Sequence, residues 1–181
     1  ASCSSTAVTA GMFHSCAVRL SGAISCWGYN AQGQLGNGTT TDSLVPVQVS
    51  AITDATTVST GYSHSCASRQ GGTVSCWGDG GGGRLGNGVT ANSSLPVQVS
   101  GIADASAVTT GWRHACAARA GGTVSCWGEA TYGQLGHGAT TNSSVPVQVS
   151  SIADANAVSG GGFHSCALQE AGSISCWGRN G

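Results

Sequence analysis

The chain repeats itself every 50 residues. His14-Ser15-Cys16 returns as His64-Ser65-Cys66, His114-Ala115-Cys116 and His164-Ser165-Cys166, and Ser25-Cys26-Trp27-Gly28 returns at 75–78, 125–128 and 175–178. Pro46-Val47-Gln48-Val49-Ser50 recurs at 96–100 and 146–150. A period this long and strict restricts the chain to architectures in which one supersecondary unit stacks against its own copies, each burying an apolar face on the next. A residue present in every copy then serves the architecture, and an activity particular to this protein is sought among residues that differ between copies. The array reads as a single domain over 1–181, with repeats at 1–50, 51–100 and 101–150 and a partial repeat at 151–181.

Within one unit, residues 7–10, 16–19, 23–27 and 47–49 read as four short strands, with a longer loop over 28–45 that contains Gly33-Gln34-Leu35-Gly36-Asn37-Gly38. Thirty glycines, and many Ser, Thr and Val residues, suit short strands and tight turns, and no stretch sustains apolar residues at helical spacing. Four antiparallel strands in a unit of ~40–50 residues are the signature of a propeller blade. The expected fold class is therefore all-β, a β-propeller of four-stranded antiparallel blades.

The cysteines fit the middle hairpin of that blade. A three-residue loop with glycine in the left-handed position is a favoured hairpin connection. With Leu20-Ser21-Gly22 as that loop, Arg19 faces Ala23, Val18 faces Ile24, and Cys16 faces Cys26. Counted from the loop, the cysteines form a non-hydrogen-bonded pair, whose close Cα atoms a disulfide bridges. The same count pairs Cys66 with Cys76, Cys116 with Cys126 and Cys166 with Cys176. Zinc is the competing reading, because His14 and Cys16 share a face and Cys26 lies opposite. That makes three ligands, where structural zinc takes four. With disulfides favoured, no metal or cofactor is expected, and each histidine is expected to bond backbone groups at a strand start. Four equivalent copies also argue against one active site, so no catalytic residue and no enzymatic activity are expected. Cys3 is the odd cysteine; it pairs outside this segment or stays free.

Composition excludes other classes. Only 7% of residues are charged, lysine is absent and the net charge is −1. Scattered arginines do not neutralise a phosphate backbone, so nucleic acid is not an expected partner. No apolar run approaches the ~20 residues of a membrane span. Nine cysteines in so short a chain point to an oxidising compartment, hence to a secreted or cell-surface protein. No signal-peptide pattern opens the chain, so an export signal would be removed or lie outside it. Smaller features read as local structure: Asp54, Asp104 and Asp154 as turn residues, and Gly80–Gly83 before Arg84 as a slack loop rather than a phosphate cradle. Asn37, Asn92 and Asn142 open triplets of the N-glycosylation pattern that such Ser/Thr-rich loops produce by chance.

Taken in order, Gly-x-x-His-x-Cys-Ala, Ser-Cys-Trp-Gly and Gly-Gln-Leu-Gly-x-Gly, recurring over 5–181, closely resemble the regulator-of-chromosome-condensation repeat, here in a secreted, bacterial-like form. The resemblance implies a seven-bladed propeller, of which about 3.5 repeats, half a ring, are present. The chain is then expected to be part of a longer one, with completion by a second copy or head-to-tail growth into a filament as alternatives. The resemblance implies a platform for binding proteins rather than one chemistry. Its members include a nuclear exchange factor for a small GTPase, a plant ultraviolet-B photoreceptor and a secreted bacterial inhibitor of β-lactamase. The photoreceptor's Gly-Trp-Arg-His motif is matched at Gly111-Trp112-Arg113-His114, whereas the equivalents Met12-Phe13, Tyr62-Ser63 and Gly162-Phe163 lack its tryptophans. The exchange-factor role fits poorly with paired cysteines and the lack of a basic tail.

In an up-and-down blade, the loop before each His and the loop after each Trp-Gly share a face, opposite the turns of the Leu20 type. Loops on a rigid scaffold are where recognition concentrates. Residues that break the repeat gather on that face: Phe13, Tyr62, Trp112, Arg113 and Phe163 in one loop series, and Tyr29, Glu129, Tyr132 and Arg179 in the other. Aromatic residues and arginine are the types enriched at binding hot spots, so these nine form the candidate surface for a protein partner or for self-association. Neutral drift at exposed positions is the competing account. The expected function is that of a non-enzymatic, secreted protein-binding scaffold, with a structural subunit of an extracellular or cell-surface assembly or filament as the alternative.

Overall fold

The structure, a computed structural model, describes residues 5–180. The first blade consists of β1 (Ser5–Ala10), β2 (His14–Arg19), β3 (Ile24–Gly28) and β4 (Ser43–Gln48), hydrogen-bonded in that order. The second is β5 (Ala55–Thr60), β6 (His64–Arg69), β7 (Val74–Gly78) and β8 (Ser93–Gln98), and the third β9 (Ala105–Thr110), β10 (His114–Arg119), β11 (Val124–Gly128) and β12 (Ser143–Gln148). The fourth sheet has three strands, β13 (Ala155–Gly160), β14 (His164–Gln169) and β15 (Ile174–Gly178). Every pairing is antiparallel between neighbours in sequence, so the all-β propeller reading stands, with three full blades and a partial fourth.

The central hairpin has the register set by its loop. Val18 faces Ile24 and Cys16 faces Cys26, and Arg19 N–H donates to the Ala23 carbonyl across Leu20-Ser21-Gly22. The outermost strand begins four residues earlier than the sequence reading places it. Pro46, Pro96 and Pro146 lie on this edge strand, beside a register shift between Cys26 and Gly28 and its equivalents, where a missing N–H is tolerated.

The core lies between blades rather than within them. The first cluster joins Ile24, Leu35, Val49 and Ile52 to Ala67 and Trp77 of the following repeat. Trp77 and Trp127 are fully buried, and their indole N–H groups donate to the Gln34 and Arg84 carbonyls of the preceding blade. Trp177 donates likewise to the Gln134 carbonyl. Each tryptophan can lie there because Gly36, Gly86 or Gly136 occupies the other side: a Cβ on any of the three would stand 2.8 Å from the indole, at a φ near +67°. The invariant Trp and the Gly-Gln-Leu-Gly motif are thus two halves of one inter-blade contact.

Two local readings are corrected. Gly80–Gly83 is not slack: Gly81–Gly83 forms a 3-10 turn, and Gly83 is buried with its Cα against the Ser144 backbone, where a Cβ would come within 2.5 Å. Asp54 and Asp104 do more than turn the chain: each pairs with an arginine of the adjoining hairpin, Arg69 or Arg119, at 2.7 Å, and Asp154 bonds Gln169. The asparagines of two N-glycosylation triplets also have structural partners, since Asn92 and Asn142 accept from the Gly80 and Ala130 N–H groups, as Asp42 does from Asn30. Among the described residues no helix is long and apolar enough to cross a membrane.

Candidate partner-binding face

Four cysteine pairs hold the hairpins that present the loops. Cys16–Cys26, Cys66–Cys76, Cys116–Cys126 and Cys166–Cys176 are joined as disulfides, each across one rung of its hairpin. Cys3 lies outside the described residues. Among the described residues no group of three His, Cys, Asp or Glu is placed to hold a metal ion.

Behind the loops before His14 and His114, a buried relay links consecutive blades. His14 Nε2 lies 2.8 Å from the Ser65 hydroxyl, which donates to the Gln34 carbonyl at 3.0 Å. Since the serine spends its one proton on that carbonyl, the imidazole donates from Nε2. His114, Ser165 and Gln134 repeat the arrangement at 2.8 and 3.1 Å. For His14 and His114 the expected backbone partner is therefore replaced by a side chain 51 residues away. The middle interface lacks the relay, because Ala115 stands where the others have serine. His64 is wholly buried and neither of its ring nitrogens makes a hydrogen bond; the His114 backbone is near the ring but outside hydrogen-bond geometry. Burial lowers the pKa of His14 to about 4. Burial, assisted by the charge of His164, lowers His114 to about 4. Burial, then the charges of Arg84, His114 and His14, lowers His64 to about 3. All three rings are neutral at pH 7, which suits a packing role.

Above this layer the repeat-breaking side chains meet. Phe13 contacts Tyr29 and Tyr62 with ring centroids 6.0 and 5.3 Å apart, Tyr62 is 6.3 Å from Trp112, and Trp112 is 5.1 Å from Phe163. Tyr132 closes on Phe163 at 5.1 Å, and the Arg179 guanidinium lies over both rings. Arg113 pairs with Glu129 at 3.2 Å. All nine candidate residues thus belong to one band of contacts that runs across four blades. Four of the five ring pairs meet edge to face at 65–82°, the arrangement the ring quadrupole favours, and Tyr62–Trp112 is tilted at 60°. They are held in place by one another while Phe13, Tyr29, Trp112 and Tyr132 each leave over two-fifths of their surface exposed.

The sequence reading missed three members of this band. Arg84 is buried and sends its guanidinium between Asp79 and Glu129. Burial lowers its pKa and the two carboxylates oppose that. Met12 is exposed at the inner edge. The signal for Arg84 and Asp79 was present: they interrupt the Gln34/Gln134 and Tyr29/Arg179 positions of the repeat.

Residues 21–68, 71–118 and 121–168 match the family described as the regulator of chromosome condensation (RCC1) repeat. The chain belongs to the RCC1 repeat family. No curated protein matches it. Among solved structures it is similar to human WBSCR16, with 22% identity and a TM-score of 0.87, over 97% of this chain and 48% of that one. It is similar to Prp20p from Saccharomyces cerevisiae, reported with its binding properties to Gsp1p and histones, with 19% identity and a TM-score of 0.83 over 97% of this chain and 43% of that one. It also resembles the ectodomain of the Physcomitrella patens receptor kinase CR4, with 23% identity and a TM-score of 0.65 over 99% and 42%. The chain spans about half the length of these structures. At such identities the RCC1-type fold is what is shared.

Proposed function

We propose that this single repeat array is a non-enzymatic, secreted protein-binding scaffold that uses the aromatic band as its docking surface. The observation that carries the reading is the coincidence of divergence and contact. In an otherwise near-identical repeat, every aromatic residue that differs between copies lies in one band, and aromatics are among the types that anchor protein interfaces. Mutual packing of the rings reduces the ordering cost of binding. Secretion is supported by the four disulfides, which persist in oxidising compartments. The kinship supports a binding role as well, because Prp20p, of the same fold, is described by its binding to other proteins. A structural subunit is the second reading, in which blades of different copies would pack as consecutive blades do within the chain, Ile24 and Leu35 of one against Trp77 of the next.

A photo-crosslinking amino acid placed at Trp112 or at Leu20, in the protein as its own cells produce it, tests both. The first reading expects adducts of a second protein from position 112 and not from position 20. Adducts of doubled mass, made from sites at Val8 or Ile174, support the second. Adducts from position 20 alone contradict the scaffold reading.

A further inference from the structure

The inter-blade grooves beneath the band occur three times, built each time from the residues equivalent to positions 13, 29 and 32 of one blade and 12, 13 and 29 of the next. They are not occupied alike. In the second groove the buried Arg84 guanidinium sits between Asp79 and Glu129. In the third, Arg179 stacks over Tyr132 at 5.1 Å and Phe163 at 5.9 Å, while Arg113 lines the remaining pocket. The first groove has no cation of its own: the buried Gln34 stands where the second has Arg84, and Asp79 where the third has Arg179. Phe13, Tyr29 and Tyr62 stand at steep angles to one another around an open pocket of about 540 Å³, with Asp79, Gln32 and Ser63 as its polar lining.

We propose that the first groove takes an arginine side chain from the partner protein, which supplies the cation that the chain's own arginines bring to the other two. The inference rests on the scaffold reading and adds the chemistry of the ligand. Aromatic faces attract a guanidinium, more strongly as it leaves water. Arginine is a better occupant than lysine because its planar head stacks on rings, as Arg179 does here, and is more weakly hydrated. The Asp79 carboxylate is shared between Arg84 and the Gly81 N–H, so the rings supply most of the attraction and Asp79 favours a positive occupant. The repeat also provides a built-in control. Arg179 is the repeat equivalent of Tyr29 but stands on the wall that Asp79 forms in the first groove, so Tyr29→Arg removes one ring of the first groove and brings an internal guanidinium in from its opposite wall.

The test titrates the full chain with a short Gly/Ser peptide carrying one arginine, and with the same peptide carrying neutral citrulline, which keeps the shape and loses the charge. Ring proton signals are followed by NMR; two phenylalanines and three tyrosines make them assignable by single substitutions. The expected result is saturable, weak binding of the arginine peptide that shifts Phe13, Tyr29 and Tyr62 more than Phe163. Phe13→Leu is expected to weaken it about tenfold, and Tyr29→Arg to abolish it with the spectrum otherwise folded. Equal binding of the citrulline peptide, or equal shifts at Phe163, overturns the proposal. So does arginine binding that survives Tyr29→Arg. If the arginine peptide fails while adducts still form at Trp112, the arginine proposal falls and the scaffold reading stands.

Discussion

Replacing Ala115 by serine supplies the middle interface with the hydroxyl that its two neighbours already have. In those neighbours the serine accepts from a histidine at 2.8 Å and donates to a carbonyl at 3.0–3.1 Å. In the middle interface the corresponding groups are present without it: His64 has no hydrogen bond, and the Arg84 carbonyl accepts from Trp127 alone among the described side chains. The substitution therefore gains two hydrogen bonds, each of about 1 kcal/mol net, and satisfies a buried ring nitrogen. After the cost of burying the hydroxyl, a net stabilisation of about 1–2 kcal/mol is expected, or about 3–6 °C in Tm for a chain of this size. Calorimetric unfolding at pH 7 measures it, with Ser65→Ala and Ser165→Ala as controls expected to lose about 1–3 kcal/mol each. The reasoning is refuted if Ala115→Ser is neutral or destabilising while both controls lose stability, since the missing hydroxyl would then not be what leaves His64 unsatisfied.

Three further outcomes follow from the same geometry. His14, His64 and His114 have folded pKa values lowered to about 4, 3 and 4 from 6.5, so the unfolded state binds more protons below pH 6.5. Stability is then full above that value and falls as pH drops towards 4, by up to about 1.4 kcal/mol per unit for each histidine, as denaturant midpoints measured across pH 4–7 would register; a flat profile contradicts buried, neutral rings. Gly86→Ala places a Cβ 2.8 Å from Trp127 at φ +68° and is expected to cost about 2 kcal/mol or more by chemical denaturation, with Trp127 fluorescence shifting to the red. Replacing both Cys66 and Cys76 by alanine removes a short covalent loop and is expected to cost about 2–3 kcal/mol, with a peptide map of unreduced native protein recovering 66 and 76 in one linked fragment.

Much of the fold was legible because it is written in short-range spacing. The ten-residue interval between Cys16 and Cys26, with a glycine-ended turn between them, fixes the hairpin register. Four such hairpins at a strict interval leave few architectures besides a propeller. The outer strand was placed late because Pro46 reads locally as a break, although an edge position beside a bulge accepts it. The His14–Ser65 relay was not legible. It joins residues 51 apart, and inter-blade register leaves no local trace except that Ala115 departs from serine. The same holds for Arg84, whose meaning depends on Asp79 and Glu129 from two different blades. The candidate face was readable as a set, from divergence within a repeat, but the order of its contacts, Tyr29 to Phe13 to Tyr62 to Trp112 to Phe163, depends on three-dimensional placement.

The central claim, that recognition lies on the band where the non-repeating aromatics meet, is tested most directly by affinity measured against the crosslinked protein once purified. Trp112→Ala is compared with Leu20→Ala, an exposed residue in a turn outside the aromatic band. The account predicts a loss of about tenfold or more for Trp112→Ala, as for an aromatic hot spot, and none for Leu20→Ala. Undiminished binding by Trp112→Ala, or a loss confined to Leu20→Ala, contradicts it.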